Sequence, residues 1–162
     1  MKIMGIDPGL AIVGYSLIDN GEDEKRLLVS GSIQTDKNKN DAERLCEIMS
    51  DMDALLDQLN PDCVAVEKLY YSSNIKTATQ VAQAKGVILA ALAKHKIPYT
   101  EYTPTSVKQV ITGYGKASKT EVAQAVKMSV SYQTFPKLDD TVDSIAIALC
   151  HSRNLIGDMK NG

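Results

Sequence analysis

The spacing of apolar residues turns from strand-like to helical near residue 40, and that first change restricts the fold class more than any single motif does. Before it lie three short runs of strand-like composition, Lys2 to Asp7, Ala11 to Ile18 and Leu27 to Thr35. Asp7-Pro8-Gly9 is strong turn punctuation, so the first two runs read as antiparallel neighbours and the three together as a meander. Beyond residue 40 the period becomes helical. Asn40 and Glu43 form a capping pair, and Leu45, Ile48, Met49, Met52, Leu55, Leu56 and Leu59 recur at helical spacing up to Asn60-Pro61. Cys63 to Glu67 is apolar but too short for a helix, and a strand reached through a helix would lie parallel to the first strand. Helices are predicted over Ile75 to Lys94, from Pro104 to about Gly113, from the Ser118/Glu121 capping box to about Val130, and from Asp139 or Asp140 to about Asn154, with a fifth strand over Ile97 to Tyr102. This order specifies an α/β chain: a mixed sheet with helices packed on it.

A chain of 162 residues with 44% apolar content can bury a core as one domain without disulfides or a structural metal. No apolar run approaches the ~20 residues that span a bilayer, and Met1-Lys2-Ile3-Met4-Gly5 lacks a signal-peptide layout, so a cytoplasmic protein is expected. Cys46, Cys63 and Cys150 show no metal-ligand spacing and read as buried thiols. The net charge of −2 is unevenly spread. From Lys68 to Pro136 there are nine lysines against two acids, Glu101 and Glu121, a net +7 that leaves −9 for the remainder. Such a split suits a bipolar surface with one face turned to a polyanion, and suits equally well lysines that simply solvate helix faces.

The acids carry the chemistry. Asp7 and Glu67 each end a predicted strand, and the carboxyl ends of strands are where α/β sheets build sites. Asp140 and Asp143 stand i, i+3 on the last helix, while Asp139, at i, i+4 from Asp143, shares that face equally well. Gathered carboxylates repel one another and call for cations between them. All-oxygen ligands select hard ions such as magnesium or manganese, two of which would suit phosphodiester hydrolysis. Each acid also has a plain structural role open to it: a turn residue for Asp7, a surface charge for Glu67, a favourable helix-dipole position for Asp139 and Asp140. His151, eight residues and so ~12 Å along a helix from Asp143, reads as a surface or capping residue, and His95 as a solvated helix end or a phosphate contact. The helix from Ile75 to Lys94 is apolar almost all round, which predicts burial on more than one side, and a subunit interface would supply the second.

Gly5-Ile-Asp-Pro-Gly9, Val66-Glu-Lys-Leu-Tyr70, Gln83-Ala-Lys-Gly86, Val107-Lys-Gln109 and Asp143-Ser-Ile-Ala-Ile-Ala148 occur in one order, and the set resembles the RuvC family of Holliday junction resolvases from Met1 to about Asn154. The resemblance implies a ribonuclease H-like fold, with a five-stranded mixed sheet and helices on both faces, as a single RuvC-like nuclease domain over 1–162. It implies Asp7, Glu67, Asp140 and Asp143 as metal-binding catalytic acids, leaving Asp139 outside, with Mg2+ as the cofactor, Mn2+ as a substitute and two ions per site. It implies Lys108 and Lys119 as important lysines, Tyr70 as a base-stacking residue, and Asn74, Lys76 and Lys85 as phosphate or sugar contacts. The implied partners are a four-way DNA junction, a second copy of the chain in a homodimer, and a branch-migration complex of RuvA and RuvB. The alternative is a ribonuclease H-like nuclease or RNA-processing factor of the YqgF type, whose arginine motif after the first Asp is missing here. Val13, Ser16 and Ser144 depart from the commoner family pattern, and none of these departures removes an expected ligand.

Overall fold

The computed structural model describes residues 1–69 and 74–161. Strands β1 (Lys2–Asp7), β2 (Ile12–Asn20), β3 (Lys25–Gln34), β4 (Cys63–Glu67) and β5 (Tyr99–Tyr102) form one sheet in the order β3-β2-β1-β4-β5. The first three strands are the expected antiparallel meander, and β4 and β5 continue the sheet parallel to β1. Helices α1 (Asp41–Leu59) and α2 (Ile75–Lys94) pack on one face, and α3 (Pro104–Thr112), α4 (Lys119–Ser129) and α5 (Asp139–Asn161) on the other. No helix among the described residues is long and apolar enough to cross a membrane.

Local chemistry sets the helix ends. Asn40 and Ser118 each complete a reciprocal capping box with the glutamate three residues on, satisfying amides that have no partner within the helix. Pro104 occupies the first turn of α3 behind the Thr103 cap, and Gly113 closes that helix at φ 81°, a left-handed conformation that costs glycine nothing. The predicted boundaries shift by a few residues elsewhere, and α5 continues past Asn154 to Asn161.

The period-2 alternation of strand side chains splits the interior in two. Met4, Ile6, Val64 and Val66 point toward α1 and α2, whereas Ile3 and Ala65 point toward α3, α4 and α5. Each apolar face is covered by its own layer of helices. Three expectations are corrected here. Cys46 is exposed and Cys63 only half-buried, leaving Cys150 as the buried thiol. His95 is not a solvated helix end, because its Nε2 lies 2.9 Å from Asp53 Oδ1 and the ring ties α2 to α1. His151 is buried rather than at the surface, and its Nδ1 shares a 2.8 Å hydrogen bond with the Tyr102 hydroxyl.

The closest approach is between α5 and the β1-β2 pair, and glycines allow it. A Cβ on Gly5 would overlap the Ser144 carbonyl oxygen, and one on Gly14 would overlap the Asp140 carbonyl oxygen. Both collisions are with helix backbone, which cannot swing aside as a side chain can. Gly14→Ala is therefore expected to cost about 1–3 kcal/mol of overpacking, read as a lower urea midpoint with an unchanged m-value. An unaltered midpoint would mean that α5 is free to lift from the sheet.

Candidate active site

Four acids reach one end of the sheet by three routes. In β1 the residues Ile3, Gly5 and Asp7 alternate onto the α5 face, and in β4 Cys63, Ala65 and Glu67 do the same. Because β1 and β4 are parallel and paired up to Ile6 with Val66, Asp7 and Glu67 come abreast one step later, at the carboxyl ends of both strands. Gly14 stands opposite Asp7 in β2 and carries the start of α5 on its bare backbone. Asp140 is thereby drawn to the same place, and one helical turn later Asp143 follows on the same face. Asp139 stays exposed while Asp140 is half-buried.

The electrostatics register the crowding. Burial, followed by the charges of Glu67, Asp143 and Asp140, pushes the Asp7 carboxyl up to about 8, and Asp7 and Glu67 share a side-chain hydrogen bond. Glu67 is raised by burial and by Asp143, with Lys119 and Lys108 pulling the other way. Asp143 is also raised by burial, against the pull of Lys119. Burial and mutual repulsion thus both favour a shared proton in the Asp7–Glu67 pair when no cation lies between them.

Two lysines flank the acids. Glu67, Lys108, Lys119 and Asp143 line one cleft of about 300 Å3 between α3, α4 and the start of α5. Lys119 Nζ lies 3.7 Å from Asp143 and 3.8 Å from Asp139, at the opening turn of α4. Arg153 holds this frame together from α5. Its guanidinium donates to the carbonyls of Val110 at 2.7 Å and Ile111 at 3.2 Å and to the Ser129 hydroxyl at 2.7 Å, tying the ends of α3 and α4 to α5. No feature of spacing singles out Arg153, whose partners lie 24 to 43 residues away. The glycine seat, by contrast, left a signal: Gly5 lies two residues before Asp7 on the same face.

The remaining expected contacts are more scattered. Asn74 caps α2, its side chain accepting from the Thr77 amide at 3.3 Å, and Lys76 is exposed in the first turn of that helix. Lys85 is buried and paired with Glu101 of β5 instead of facing solvent. Tyr70 and its neighbour Tyr71 lie outside the described residues. Among the described residues no three His, Cys, Asp or Glu side chains converge closely enough to grip one ion as they stand. The donor set nevertheless fits a hard divalent cation, being all carboxylate oxygen, with Lys119 balancing part of its charge.

A mixed sheet of this order, with two helices on one face and three on the other, is the ribonuclease H-like fold. The comparisons narrow the class. The family model for the crossover junction endodeoxyribonuclease RuvC matches residues 3–151. RuvC of Halothermothrix orenii is 44% identical over 154 residues, covering 95% of this chain and 93% of that protein. RuvC of Prochlorococcus marinus is 46% identical over 149 residues, covering 92% and 94%. The solved structure of Thermus thermophilus RuvC in complex with a Holliday junction substrate superposes with a TM-score of 0.89 at 31% identity, covering 97% and 96%. This chain belongs to the RuvC family.

The raised carboxyls have a thermodynamic consequence. Asp7 binds its proton more tightly folded than unfolded, so in the absence of divalent ions stability is greatest below about pH 4 on this account and falls as pH rises toward 8. Asp7→Asn removes the group that must ionise. In chelator, its unfolding free energy should exceed that of the parent at pH 8 by at least ~1.4 kcal/mol, one pKa unit's worth, with the gap narrowing toward pH 4. Equal denaturation midpoints at both pH values would show that Asp7 titrates normally.

Proposed function

We propose that this chain resolves Holliday junctions as a metal-dependent endonuclease, with Asp7, Glu67, Asp140 and Asp143 as the acids that hold the metal. The observation that carries the reading is the placement of the acids: Asp7 and Glu67 come abreast at the ends of paired strands, the start of α5 is seated on Gly14 beside Asp7, and Glu67 and Asp143 line one cleft. Family membership supplies the reaction class, crossover junction endodeoxyribonuclease activity. The RNA-processing alternative is not favoured, because the family match and the relatives named above are all to RuvC.

Water is the nucleophile. Its oxygen forms a bond to phosphorus as the bond from phosphorus to the 3'-oxygen breaks, leaving a 5'-phosphate and a 3'-hydroxyl. Magnesium, with manganese as a substitute and two ions per site, would supply Lewis-acid stabilisation of the charge that develops and a water acidic enough to attack at neutral pH. The protein's own part is placement. Asp7 and Glu67 are fixed by the strand register, and Asp140 and Asp143 by the seating of α5. Asp7, raised by burial and by its like-charged neighbours, would hold the metal as the carboxylate together with Glu67, Asp140 and Asp143. Lys108 and Lys119 hold positive charge at the cleft, and Lys119 also lies where the free amides of a helix start attract phosphate.

A four-way junction has two-fold symmetry, so a homodimer would offer one site to each of two opposed strands. Helix α2 supports that assembly: Ala82, Gly86, Ala90 and Ala93 are exposed along it, and a Cβ on Gly86 would meet nothing, so a second helix could approach closely. The whole of 1–162 acts in this reading as a single nuclease domain. Asn74, Lys76 and Tyr70 contact the DNA, and RuvA and RuvB are further partners.

The test is a synthetic four-way junction beside a linear duplex, each incubated with magnesium and with chelator. Paired symmetric nicks on the junction alone, abolished by chelator, are expected, and equal cutting of duplex would overturn the reading. Asp7→Asn should still bind the junction while cutting falls by at least ~100-fold, the scale expected when an electrostatic element of the transition state is removed.

A further inference from the structure

We infer that Lys85 and Glu101 form an internal latch that positions the leading half of α2 beside the active-site end of the sheet, and that Lys85 does not itself contact phosphate. The inference rests on the nuclease reading above for its consequences, though not for its geometry. Strand alternation turns Glu101 to the α2 side of β5, away from the catalytic acids, while its register partner Val66 immediately precedes Glu67. Lys85 reaches across from α2 and pairs with it, the lysine side chain being 10% exposed and the glutamate 31%.

The place of this pair along α2 gives it leverage. Ala84 and Lys85 are the first buried residues of the helix, followed by Ile88, Ala91 and Leu92. Ahead of them, from Ile75 to Gln83, every residue is exposed or only half-buried, and Ile75 is 81% exposed. The leading half of α2 is thus held more lightly, by the Gln80 side chain donating to Asp41 of α1 at 3.2 Å, ahead of a buried anchor that begins at Ala84 and Lys85. That half carries Lys76 and is capped by Asn74, both assigned to DNA contact in the proposed function. Thr77, Ala78 and Val81 of the same half line one pocket with Glu67, so the seating of α2 bears on how far these groups lie from the acids.

An ammonium placed here needs a counterion. Burial, and then the charge of nearby Lys68, push Lys85 below the usual lysine range. Glu101 is one of only two acids between Lys68 and Pro136, a stretch with nine lysines, and its chain neighbour Tyr102 holds the Lys68 amide through its carbonyl at 2.8 Å. Replacing Glu101 leaves the Lys85 ammonium buried without compensation, replacing Lys85 leaves the part-exposed Glu101 without its partner, and exchanging the two keeps the pair.

A direct phosphate contact and a latch predict opposite results for Glu101. Were Lys85 a phosphate ligand, Glu101→Gln would free it and tighten junction binding, and Lys85→Met would reduce the salt slope of log Kd by ~0.9. For a latch, Glu101→Gln and Lys85→Met should instead give the same defect: single-turnover nicking at saturating junction slowed roughly 10- to 100-fold by misplacement, with the salt slope unchanged. The exchanged variant Lys85→Glu/Glu101→Lys should recover most of the rate. In hydrogen exchange without DNA, amides from Thr79 to Gln83 should exchange faster in both single variants, while α1 and α5 keep the parental pattern. Tighter binding by Glu101→Gln, a reduced salt slope, or parental nicking and exchange in both single variants would each overturn the latch. Should one single variant fail to fold, the other and the exchanged pair decide by the same criteria. If the parent protein cuts no junction, the nuclease reading falls and exchange at Thr79 to Gln83 alone decides: faster in Glu101→Gln sustains the latch, and parental rates overturn it.

Discussion

Mutual repulsion among half-buried carboxylates is the constraint around which this molecule is built. Left to themselves, gathered carboxylates would separate or take up protons, and burial together with the neighbouring charges pushes Asp7 up to about 8. The fold opposes the first. Two acids are fixed by strand register, which cannot slip by one residue without turning every side chain of the strand to the opposite face. The other two are fixed by a helix whose backbone rests on glycine. Opposing charges with rigid elements rather than with loops keeps the acids together before any cation arrives.

The sheet divides labour between its faces. The α5 face holds the acids, Lys108 and Lys119, braced by Arg153 across three helices. The opposite face holds α1 and α2, joined by His95 and Lys94 to Asp53 and anchored to β5 through Lys85 and Glu101. Alternate residues of one strand serve both sides: in β5, Glu101 points to α2 while Tyr102 packs toward α5 and meets His151. The packing of α2 and the placement of the acids thus depend on the same strands, with no intervening loop between them.

Much of this was legible in the residues. Turn punctuation and the change of apolar period gave the meander, the crossover and the helix order, because those signals depend only on near neighbours in sequence. The acids were legible as strand-end charges, but their meeting was not. Asp139 and Asp140 were indistinguishable by periodicity, and the close seating of α5 over Gly14 separates them in space, leaving Asp139 exposed. What escaped were partnerships across long separations. His151 reads as peripheral in sequence but meets Tyr102, 49 residues away, and Lys85 reads as a phosphate or sugar contact but pairs with Glu101, which strand alternation brings beneath it. A pattern of period 2 or 3.6 gives the face on which a side chain lies, but not what waits there.

That limit also tempers the charge argument. Nine lysines and two acids between Lys68 and Pro136 suggest a strongly basic face, yet several of those lysines have internal occupations. Lys85 is buried against Glu101, Lys94 lies 2.6 Å from Asp53, and Lys127 sits 5.0 Å over the ring of Phe135. Lys119 leans on Asp139 and Asp143, and phosphate or a cation arriving at the cleft must compete with that pairing. The number of lysines in the segment therefore overstates the positive charge offered to a polyanion. What remains is concentrated where α3 and α4 border the acids and where α2 begins. A small basic surface beside a negative pocket would favour a nucleic acid whose shape brings backbone to both regions at once, which a branched substrate can do more readily than a straight duplex.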